Sequence, residues 1–570
     1  MKFRLSALFL LVLGGCLSSP PPRPAGEDLL RGMTLEEKVG QLFVVSANGV
    51  YYAEDAPGYR ALEKQVAQDH VGGVIYFRSS VLEAASLGAR LQKAARIPLL
   101  VSADLEAGAG MRFPDLVYGP WAMAVAATGD PSLARRRALI TAQESRALGI
   151  HQVFAPVADV NVDPDNPVIN VRSFGEDPAD VSRYVGAAVQ GLQEGGVTAT
   201  LKHFPGHGDT HTDSHLSLPV VAASAERLAR VELVPFRAGI AAGARSVMVG
   251  HLSVPALDEA PATLSKAVVT GLLRGTLGFQ GLVVTDAMTM KALSGPAPEL
   301  AVRAIEAGND MVVMSTDTPG SIAAVVAAVR GGRIGEGQVD ASVRRILREK
   351  ERLGLFRETA PPIDALPRVV GTRAHAAVEE EIARRSLTLV REESGALPLD
   401  RSRPLTVVSI LDEGTATLEE PLLSELRRRP GRELLTARVD PRATASEIAD
   451  AVAAAGKGEE VLLALYVRAR SGSGTVAVPR AGAEAIQGIL AAANASGRKV
   501  VAVAFGSPYL LRDFPALGTY LAAWGSQEVV QIAAAAALLG EQPIGGRLPV
   551  TIPGVAARGA GLDRAAVPRS

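Results

Sequence analysis

Short apolar runs recur between residues 28 and 357, and the segments between them have the length of helices. The runs span residues 39–45, 73–77, 99–103, 153–160, 199–203, 246–252, 282–285 and 311–315. Parallel strands need long crossover connections, which are usually helices. Eight runs in this alternation predict an α/β fold whose first domain, residues 28–357, is a (β/α)8 TIM-type barrel.

Polar side chains stand at or just beyond the C-terminal ends of several runs. These residues are Asp104, Asp159, His203, His251 and Asp286. Barrel enzymes build their sites on the face where the strands end. A lone aspartate at a strand end is more often a helix N-cap, but the whole set together predicts a catalytic site.

A second alternation of apolar runs follows a proline-containing segment, residues 358–372, which we interpret as a linker. Its runs span residues 405–411, 461–467, 500–505 and 520–524. They predict an α/β sandwich over residues 373–557. Residues 558–570 form a tail, and we expect the chain to fray after Pro553.

Length and composition agree with two soluble domains. The chain has 570 residues, more than one hydrophobic core supports. Hydrophobic residues make up 48%, charged residues 21%, and the net charge is -1. No basic stripe is available to neutralise phosphates, so we expect no nucleic-acid partner, and we expect a monomer.

The N-terminus has the layout of an export signal. A positively charged start precedes an apolar run at residues 5–13 that is too short to span a bilayer. The following Leu13-Gly14-Gly15-Cys16 resembles the bacterial lipoprotein box. We therefore predict a signal peptide at residues 1–15, a lipid anchor on Cys16 at the periplasmic or outer surface of a bacterial membrane, and a proline-rich tether at residues 16–27. A plain secretory signal is the alternative.

Four of the eight histidines fall within fourteen residues at a spacing of four: His203, His207, His211 and His215. On a helix they would share one face and suggest a zinc site. Pro205, Gly206 and Gly208 break any such helix. We therefore predict no metal site here, but a strand end at Lys202-His203 followed by a glycine-rich loop.

This loop carries a carboxylate two residues from an imidazole. Asp213 can hydrogen-bond His215, which would fix the ring tautomer and raise its basicity. Such a pair can act first as a general acid and then as a general base. An incidental polar surface loop is the alternative, but it would not concentrate half of the histidines in one segment.

Three motifs together resemble the β-N-acetylglucosaminidase branch of glycoside hydrolase family 3. They are Lys202-His203-Phe204-Pro205-Gly206-His207-Gly208 with Asp213-Ser214-His215, Asn166-Pro167-Val168-Ile169 with Arg172-Ser173-Phe174-Gly175-Glu176-Asp177-Pro178, and Val283-Val284-Thr285-Asp286-Ala287-Met288. The resemblance implies that Asp286 is the nucleophile, His215 the acid/base and Asp213 its partner. It also implies sugar-binding roles for Asp104, Arg112, Arg172, Lys202 and His203, each of which could instead be part of a structural ion pair.

One motif departs from the family pattern Asp-x-Glu-Gly-Gly-Arg. Here the chain reads Asp104-Leu105-Glu106-Ala107-Gly108-Ala109. We expect Ala107 to restrict the backbone of this loop, and the missing arginine at position 109 to alter contacts beyond the terminal sugar.

The predicted function is hydrolysis of terminal, non-reducing β-GlcNAc with retention of configuration, through a covalent intermediate and without a cofactor. Cell-wall fragments and chitin oligosaccharides are both open as substrates. A phosphorylase of the same glycosides is one alternative, because a histidine acid/base repels an incoming anion less than a carboxylate does. A non-catalytic sugar-binding lipoprotein is the other.

Overall fold

The computed structural model describes residues 25–49, 51–357, 363–414, 417–428, 433–470 and 472–567. The predicted signal peptide, Cys16 and most of the tether lie outside the described residues, as do residues 358–362 of the predicted linker. Within these ranges, no helix combines the length and hydropathy needed to cross a bilayer.

Eight parallel strands form the first domain. They are β1 (Phe43–Gly49), β2 (Gly73–Ser79), β3 (Leu100–Ala103), β4 (Gln152–Val153), β5 (Thr198–Phe204), β6 (Ser246–Val249), β7 (Leu282–Thr285) and β8 (Val312–Val313). Their order is β7-β6-β5-β4-β3-β2-β1-β8. A bridge between Val284 and Met311 joins the two ends of this sheet, and the Thr285 amide donates to the Met311 carbonyl at 3.0 Å. The predicted barrel is confirmed.

Helices surround this sheet. They are α1 (Ala25–Gly32), α2 (Leu35–Gly40), α3 (Pro57–Ala67), α4 (Val81–Ala94), α5 (Ala122–Ala127), α6 (Pro131–Ala147), α7 (Pro178–Glu194), α8 (Ala225–Arg230), α9 (Leu233–Ala241), α10 (Ala297–Ala307), α11 (Thr318–Arg330) and α12 (Glu336–Arg352), with a π-helix, Ala267–Thr276, between β6 and β7. Several of them begin where an aspartate precedes a proline. Asp130 and Asp177 accept backbone N–H groups of the first turns of α6 and α7, and the prolines that follow provide a helical φ.

Most of the observed strands differ from the predicted runs by one to three residues at an end, and two differ more. In the run 39–45, Val39 belongs to α2 and the strand begins at Phe43. In the run 153–160, only Val153 is in a strand, and the rest is buried coil that carries Asp159 to the mouth of the barrel. Apolar runs mark burial, and burial is common to strands, helices and packed coil, which explains these differences.

A six-stranded sheet forms the second domain. Its strands are β9 (Thr388–Arg391), β10 (Leu405–Leu411), β11 (Leu434–Val439), β12 (Glu460–Tyr466), β13 (Val500–Ala504) and β14 (Thr519–Ala522), in the order β11-β10-β12-β13-β14-β9. Only β9 is antiparallel. The short helix α13 (Leu366–Val369) precedes this domain and packs with Leu366 in the barrel core. The helices of the second domain are α14 (Arg373–Ser386), α15 (Glu420–Arg427), α16 (Ala445–Ala455), α17 (Arg480–Ser496), α18 (Leu510–Asp513) and α19 (Glu528–Leu538).

The sequence pattern predicts the four central strands of this sheet and misses its two edges. β11 is only partly buried and lacks a continuous apolar run, while β9 has four residues. The expectation that the chain frays after Pro553 is also wrong. Leu562 pairs with Leu389, and Arg564 pairs with Ile544.

The two domains contact each other beside the barrel mouth. The Asn161 side-chain amide donates to the Tyr509 hydroxyl at 2.9 Å, and Thr551 donates to Glu176 through both its backbone N–H and its hydroxyl. Helix α14 has side chains in both cores, because Val378 packs with the barrel and Ala383 with the second sheet. The domain boundaries themselves stay predictions.

Candidate active site

A cavity of about 520 Å³ opens at the C-terminal ends of the barrel strands. Its lining includes seven of the predicted site residues: Asp104, Arg112, Arg172, Lys202, His203, His215 and Asp286. The eighth, Asp213, is buried and hydrogen-bonded to His215. A concave site with convergent polar groups on a largely preformed frame is typical of small-molecule binding.

Asp286 follows β7 directly and is held by the backbone around it. Its N–H donates to the Val249 carbonyl at 3.0 Å, and its Oδ1 accepts the Ala287 N–H at 2.8 Å. Burial alone would raise the pKa of Asp286, but the neighbouring His203 and His251, the Ala287 N–H and the Lys202 ammonium outweigh burial and lower the pKa to about 2. The carboxylate is therefore ionised at neutral pH. It caps no α-helix, because the next one, α10, begins at Ala297.

Asp213 and His215 form the predicted pair. Asp213 Oδ1 accepts both the backbone N–H of His215 and its ring Nδ1–H, each at 2.8 Å. An ionised carboxylate only accepts, so this contact assigns the proton to Nδ1 and leaves Nε2 for the cavity. Burial raises the pKa of Asp213, but the hydrogen bonds from His215 and from the Gly472 amide lower it further than burial raises it. The His215 side chain is about one-third exposed, so its ring reaches the cavity.

A buried ionic network lies beneath the cavity. Lys202 Nζ stands between two carboxylates, 2.8 Å from Asp104 and 2.7 Å from Glu106. Arg112 pairs with Asp104 at 2.9 Å, and Arg172 binds Glu106 through two nitrogens at 2.8 Å each. The predicted sugar-binding residues are thus also members of ion pairs, and the two interpretations are not exclusive.

Glu106 is a functional candidate that the sequence reasoning quoted without assigning it a role. Burial raises its pKa, but the charges of Arg172 and Lys202 hold that pKa well below the usual range. This carboxylate therefore stays charged and fixes both cations beneath the cavity. Its signal in the sequence was its place two residues after Asp104, within the motif.

Asp159 is the second such residue. It is fully buried, and its carboxylate accepts the ring Nδ1–H of His203 at 2.8 Å together with the backbone N–H groups of His203 and His207. This contact orients the His203 ring and leaves its Nε2 for the cavity.

The four closely spaced histidines do not converge on one point. His203 contacts Asp159, His207 contacts Thr210 and Ser214, His211 contacts Asp163, and His215 contacts Asp213. Burial lowers the pKa of His207 to about 4, so this ring is neutral at neutral pH. Among the described residues, no cluster of three or more His, Cys, Asp or Glu side chains has the arrangement of a metal site.

Comparison with known proteins identifies the family. The family model described as glycosyl hydrolase family 3 N terminal domain matches residues 34–349. The chain belongs to glycoside hydrolase family 3. It is therefore an enzyme that cleaves glycosidic bonds, and the resemblance found in the motifs is confirmed.

Relatives match nearly the whole chain. A protein of Cellulomonas fimi named beta-N-acetylglucosaminidase/beta-glucosidase is 34% identical over 542 residues, covering 91% of this chain and 94% of that protein. The structure of a family 3 beta-N-acetylglucosaminidase from Paenibacillus sp. str. FPU-7 superposes with a TM-score of 0.81 at 35% identity and covers 91% and 99% of the two chains. The beta-glucoside phosphorylase BglX gives a TM-score of 0.84 at 27% identity and covers 92% and 96%.

The departure from the family 3 pattern changes the backbone and contacts of this loop less than the sequence suggests. Gly108, which is retained, is the residue in the left-handed region, with φ of +85°. Ala107 is buried and has a negative φ, which alanine adopts without strain. Arg112 supplies a guanidinium to Asp104 three residues beyond the position where the arginine is missing.

The second domain of this family 3 enzyme also reaches the cavity. Ala469 and Arg470, which follow β12, are among its lining residues. The Arg470 guanidinium donates to the Asp412 carbonyl at 3.2 Å and to Glu413 at 2.5 Å. No local sequence signal predicts this contribution, because it depends on how the two domains pack.

Proposed function

We propose that this family 3 enzyme is an exo-acting β-N-acetylglucosaminidase that releases terminal, non-reducing β-GlcNAc with retention of configuration. The observation that carries the proposal is that an ionised carboxylate, Asp286, and a carboxylate-oriented imidazole, His215, line the same cavity. The names of the Cellulomonas and Paenibacillus relatives support GlcNAc as the sugar.

The proposed reaction proceeds by two successive displacements at the anomeric carbon. Asp286 attacks the anomeric carbon while His215 Nε2–H gives its proton to the departing glycosidic oxygen, so the C–O bond breaks as a glycosyl ester forms. The neutral imidazole then takes a proton from water, and this water displaces Asp286. Two inversions at one carbon give net retention, and Asp213 stabilises the imidazolium in its charged phase.

The floor of the cavity supplies the sugar contacts. Lys202, Arg172 and His203 Nε2 offer donors to ring hydroxyls and to an acetamide carbonyl, and Asp104 offers an acceptor for a pair of hydroxyls. Because Glu106 and Asp159 hold three of these groups in place, little side-chain ordering is needed when the sugar binds.

The predicted export signal favours a substrate outside the cytoplasm. With Cys16 acylated and residues 16–27 as a tether, the enzyme would act at a membrane surface on peptidoglycan fragments or chitin oligosaccharides. Product analysis on these two substrate classes separates them.

The direct test compares 4-nitrophenyl β-GlcNAc with the corresponding glucoside and follows the anomer released. Turnover of the GlcNAc glycoside to the β-anomer is expected. Release of the α-anomer would exclude Asp286 as a covalent nucleophile, and an absence of turnover on both would favour the non-catalytic sugar-binding alternative.

Phosphorolysis is a second candidate. It is supported by the similarity to the beta-glucoside phosphorylase BglX and by Arg470 at the cavity, where an anionic acceptor would meet a guanidinium. In phosphate buffer a phosphorylase would release GlcNAc 1-phosphate, whereas a hydrolase would release free GlcNAc.

A further inference from the structure

The loop that carries Asp213 and His215 is held by two different parts of the molecule. Its first half is tied to the barrel, because the Asn166 side-chain amide donates to the His207 carbonyl at 2.9 Å. Its second half meets the second domain, where the Gly472 N–H donates to Asp213 Oδ2 at 2.7 Å. The functional half of the loop is therefore in contact with a separate domain.

The contact with Gly472 completes the coordination of a buried charge. Asp213 Oδ1 is used by His215, through both the backbone and the ring, and Oδ2 receives the Gly472 amide. A hydrogen bond to an ionised acceptor is about twice as strong as one between neutral groups. The amide thus fixes the rotation of the carboxylate and, through it, the orientation of the His215 ring.

A second contact joins the same two segments. A Cβ atom built on Gly474 would lie 3.0 Å from Leu216 Cδ1, so the leucine next to the histidine covers this glycine. Leu216 as a whole is 45% exposed, so this contact covers only part of it. The two segments therefore pack against each other at the polar contact and at an apolar one.

The residues that precede Gly472 are held in the second domain by hydrogen bonds and ion pairs. Asp412, directly after β10, accepts the Arg468 backbone N–H at 2.8 Å and pairs with the Arg468 guanidinium at 2.7 Å. Arg470 donates to the Asp412 carbonyl and pairs with Glu413. Two arginines and two carboxylates thus brace the segment that presents Gly472.

We propose that the segment of the second domain that carries Gly472 and Gly474 is a positioning element for the acid/base pair, and that it acts through the Gly472 amide on Asp213. The inference rests on the proposed function, since it assigns Gly472 a role only if Asp213 and His215 act as the acid/base. The second domain would then complete the catalytic centre of the barrel through one backbone hydrogen bond, with no side chain in the reaction.

The test replaces the amide and compares leaving groups. Gly472→Pro removes the N–H, whereas Gly472→Ala retains it, and neither residue favours the φ of +79° found here. We expect Gly472→Pro to lower kcat/KM for the disaccharide N,N′-diacetylchitobiose by about 10- to 100-fold. The loss on 4-nitrophenyl β-GlcNAc should be much smaller and partly restored by azide, while Gly472→Ala should keep the substrate ratio of the wild type.

A double-mutant cycle separates positioning from strain. In the Asp213→Ala background, Gly472→Pro should have little additional effect on the disaccharide, because the acceptor is already gone. An equal loss in both backgrounds would overturn the proposal. Equal losses for the proline and alanine variants on both substrates would overturn it as well.

Two controls complete the design. If thermal unfolding shows that Gly472→Pro is not folded, Asp412→Asn loosens the same loop with the amide intact, and a wild-type substrate ratio for that variant would contradict the proposal. The proposed function is tested separately by Asp286→Ala and His215→Ala. Asp286→Ala should behave as the loss of a nucleophile and His215→Ala as the loss of an acid/base. If they do, but the Gly472 variants do not resemble Asp213→Ala, only the positioning role fails.

Discussion

At the scale of single residues, charge state and orientation decide the roles. Asp286 lies beside two histidines at the cavity and stays ionised, whereas the His215 ring is oriented by a buried carboxylate and is partly exposed. One group is suited to attack carbon and the other to exchange protons with a leaving group and water. In the proposed mechanism the two side chains act on different bonds, so the loss of one can be distinguished from the loss of the other.

Removal of the nucleophile should impair hydrolysis of every substrate. Removal of the acid should impair mainly those substrates whose leaving group needs a proton. Asp286→Ala deletes the route to the covalent intermediate, so activity should fall by several orders of magnitude whatever the leaving group. His215→Ala should lower activity on a disaccharide by about 10²–10⁴-fold. On a nitrophenyl glycoside the first step, formation of the covalent intermediate, should be slowed far less. Steady-state kinetics on both substrates checks this, and azide should restore part of the His215→Ala rate. Equal impairment without azide rescue would make His215 a binding residue.

Glu106 should matter for binding as well as for stability. Glu106→Gln leaves Lys202 and Arg172 with less opposing charge, so KM should rise and the melting temperature should fall, since breaking a buried pair costs about 3–5 kcal/mol. Glu379→Gln is the matched control, because Glu379 is equally buried and pairs with Arg137 away from the cavity lining. It should lower the melting temperature alone. A similar KM for both variants would reduce Glu106 to a structural role.

At the scale of elements, strand ends and the loops after them place the chemistry. β3, β5 and β7 each end directly before a predicted site residue or carry one at their end. The loop after β3 then turns back at Gly108, so that Glu106 and Arg112 both face the cavity. Backbone conformation in this loop is therefore part of the site.

The position that requires glycine in this loop can be tested by exchange. Gly108→Ala places a Cβ at φ of +85° and should destabilise the protein by roughly 1 kcal/mol while lowering kcat/KM. Ala107→Gly, at the neighbouring position where the family has glycine, should change activity by less than about twofold because no left-handed conformation is required there. Thermal unfolding and kinetics of the two variants measure both effects. A larger effect for Ala107→Gly than for Gly108→Ala would show that position 107, and not position 108, carries the backbone constraint.

At the scale of the whole molecule, the barrel supplies most of the cavity lining and the second domain contributes Ala469 and Arg470. Met123 and Val171 of the barrel pack into the core of the second domain, so the domains share an apolar interface as well as hydrogen bonds. The candidate site is therefore lined by residues of two domains that also share a core.

Anchoring is the prediction that concerns the molecule in its setting. Wild-type protein expressed in bacteria should fractionate with membranes and carry a diacylglyceryl mass on Cys16, and Cys16→Ala should abolish the acylation. Mass spectrometry of the N-terminal peptide and fractionation measure this. Unacylated wild-type protein in the soluble fraction would favour the plain secretory signal, and the activity of purified Cys16→Ala should equal that of the wild type.

The sequence by itself determined the fold class, the family and seven of the residues that line the cavity. Strand burial leaves a local apolar signature, and the Asp213, His215 and Asp286 motifs are contiguous stretches of chain. Because the parallel strands of a barrel all end on the same face, the sequence is enough to predict that residues at the strand ends lie close together.

Only the tertiary structure decided the rest. The edge strands β9 and β11, the brace of Glu106 on two cations, and the Gly472 contact with Asp213 join residues that are distant in the chain. The last contact spans 259 residues and two domains. Such contacts depend on how cores and domains pack, and packing leaves no periodic or local pattern at the residues that it brings together.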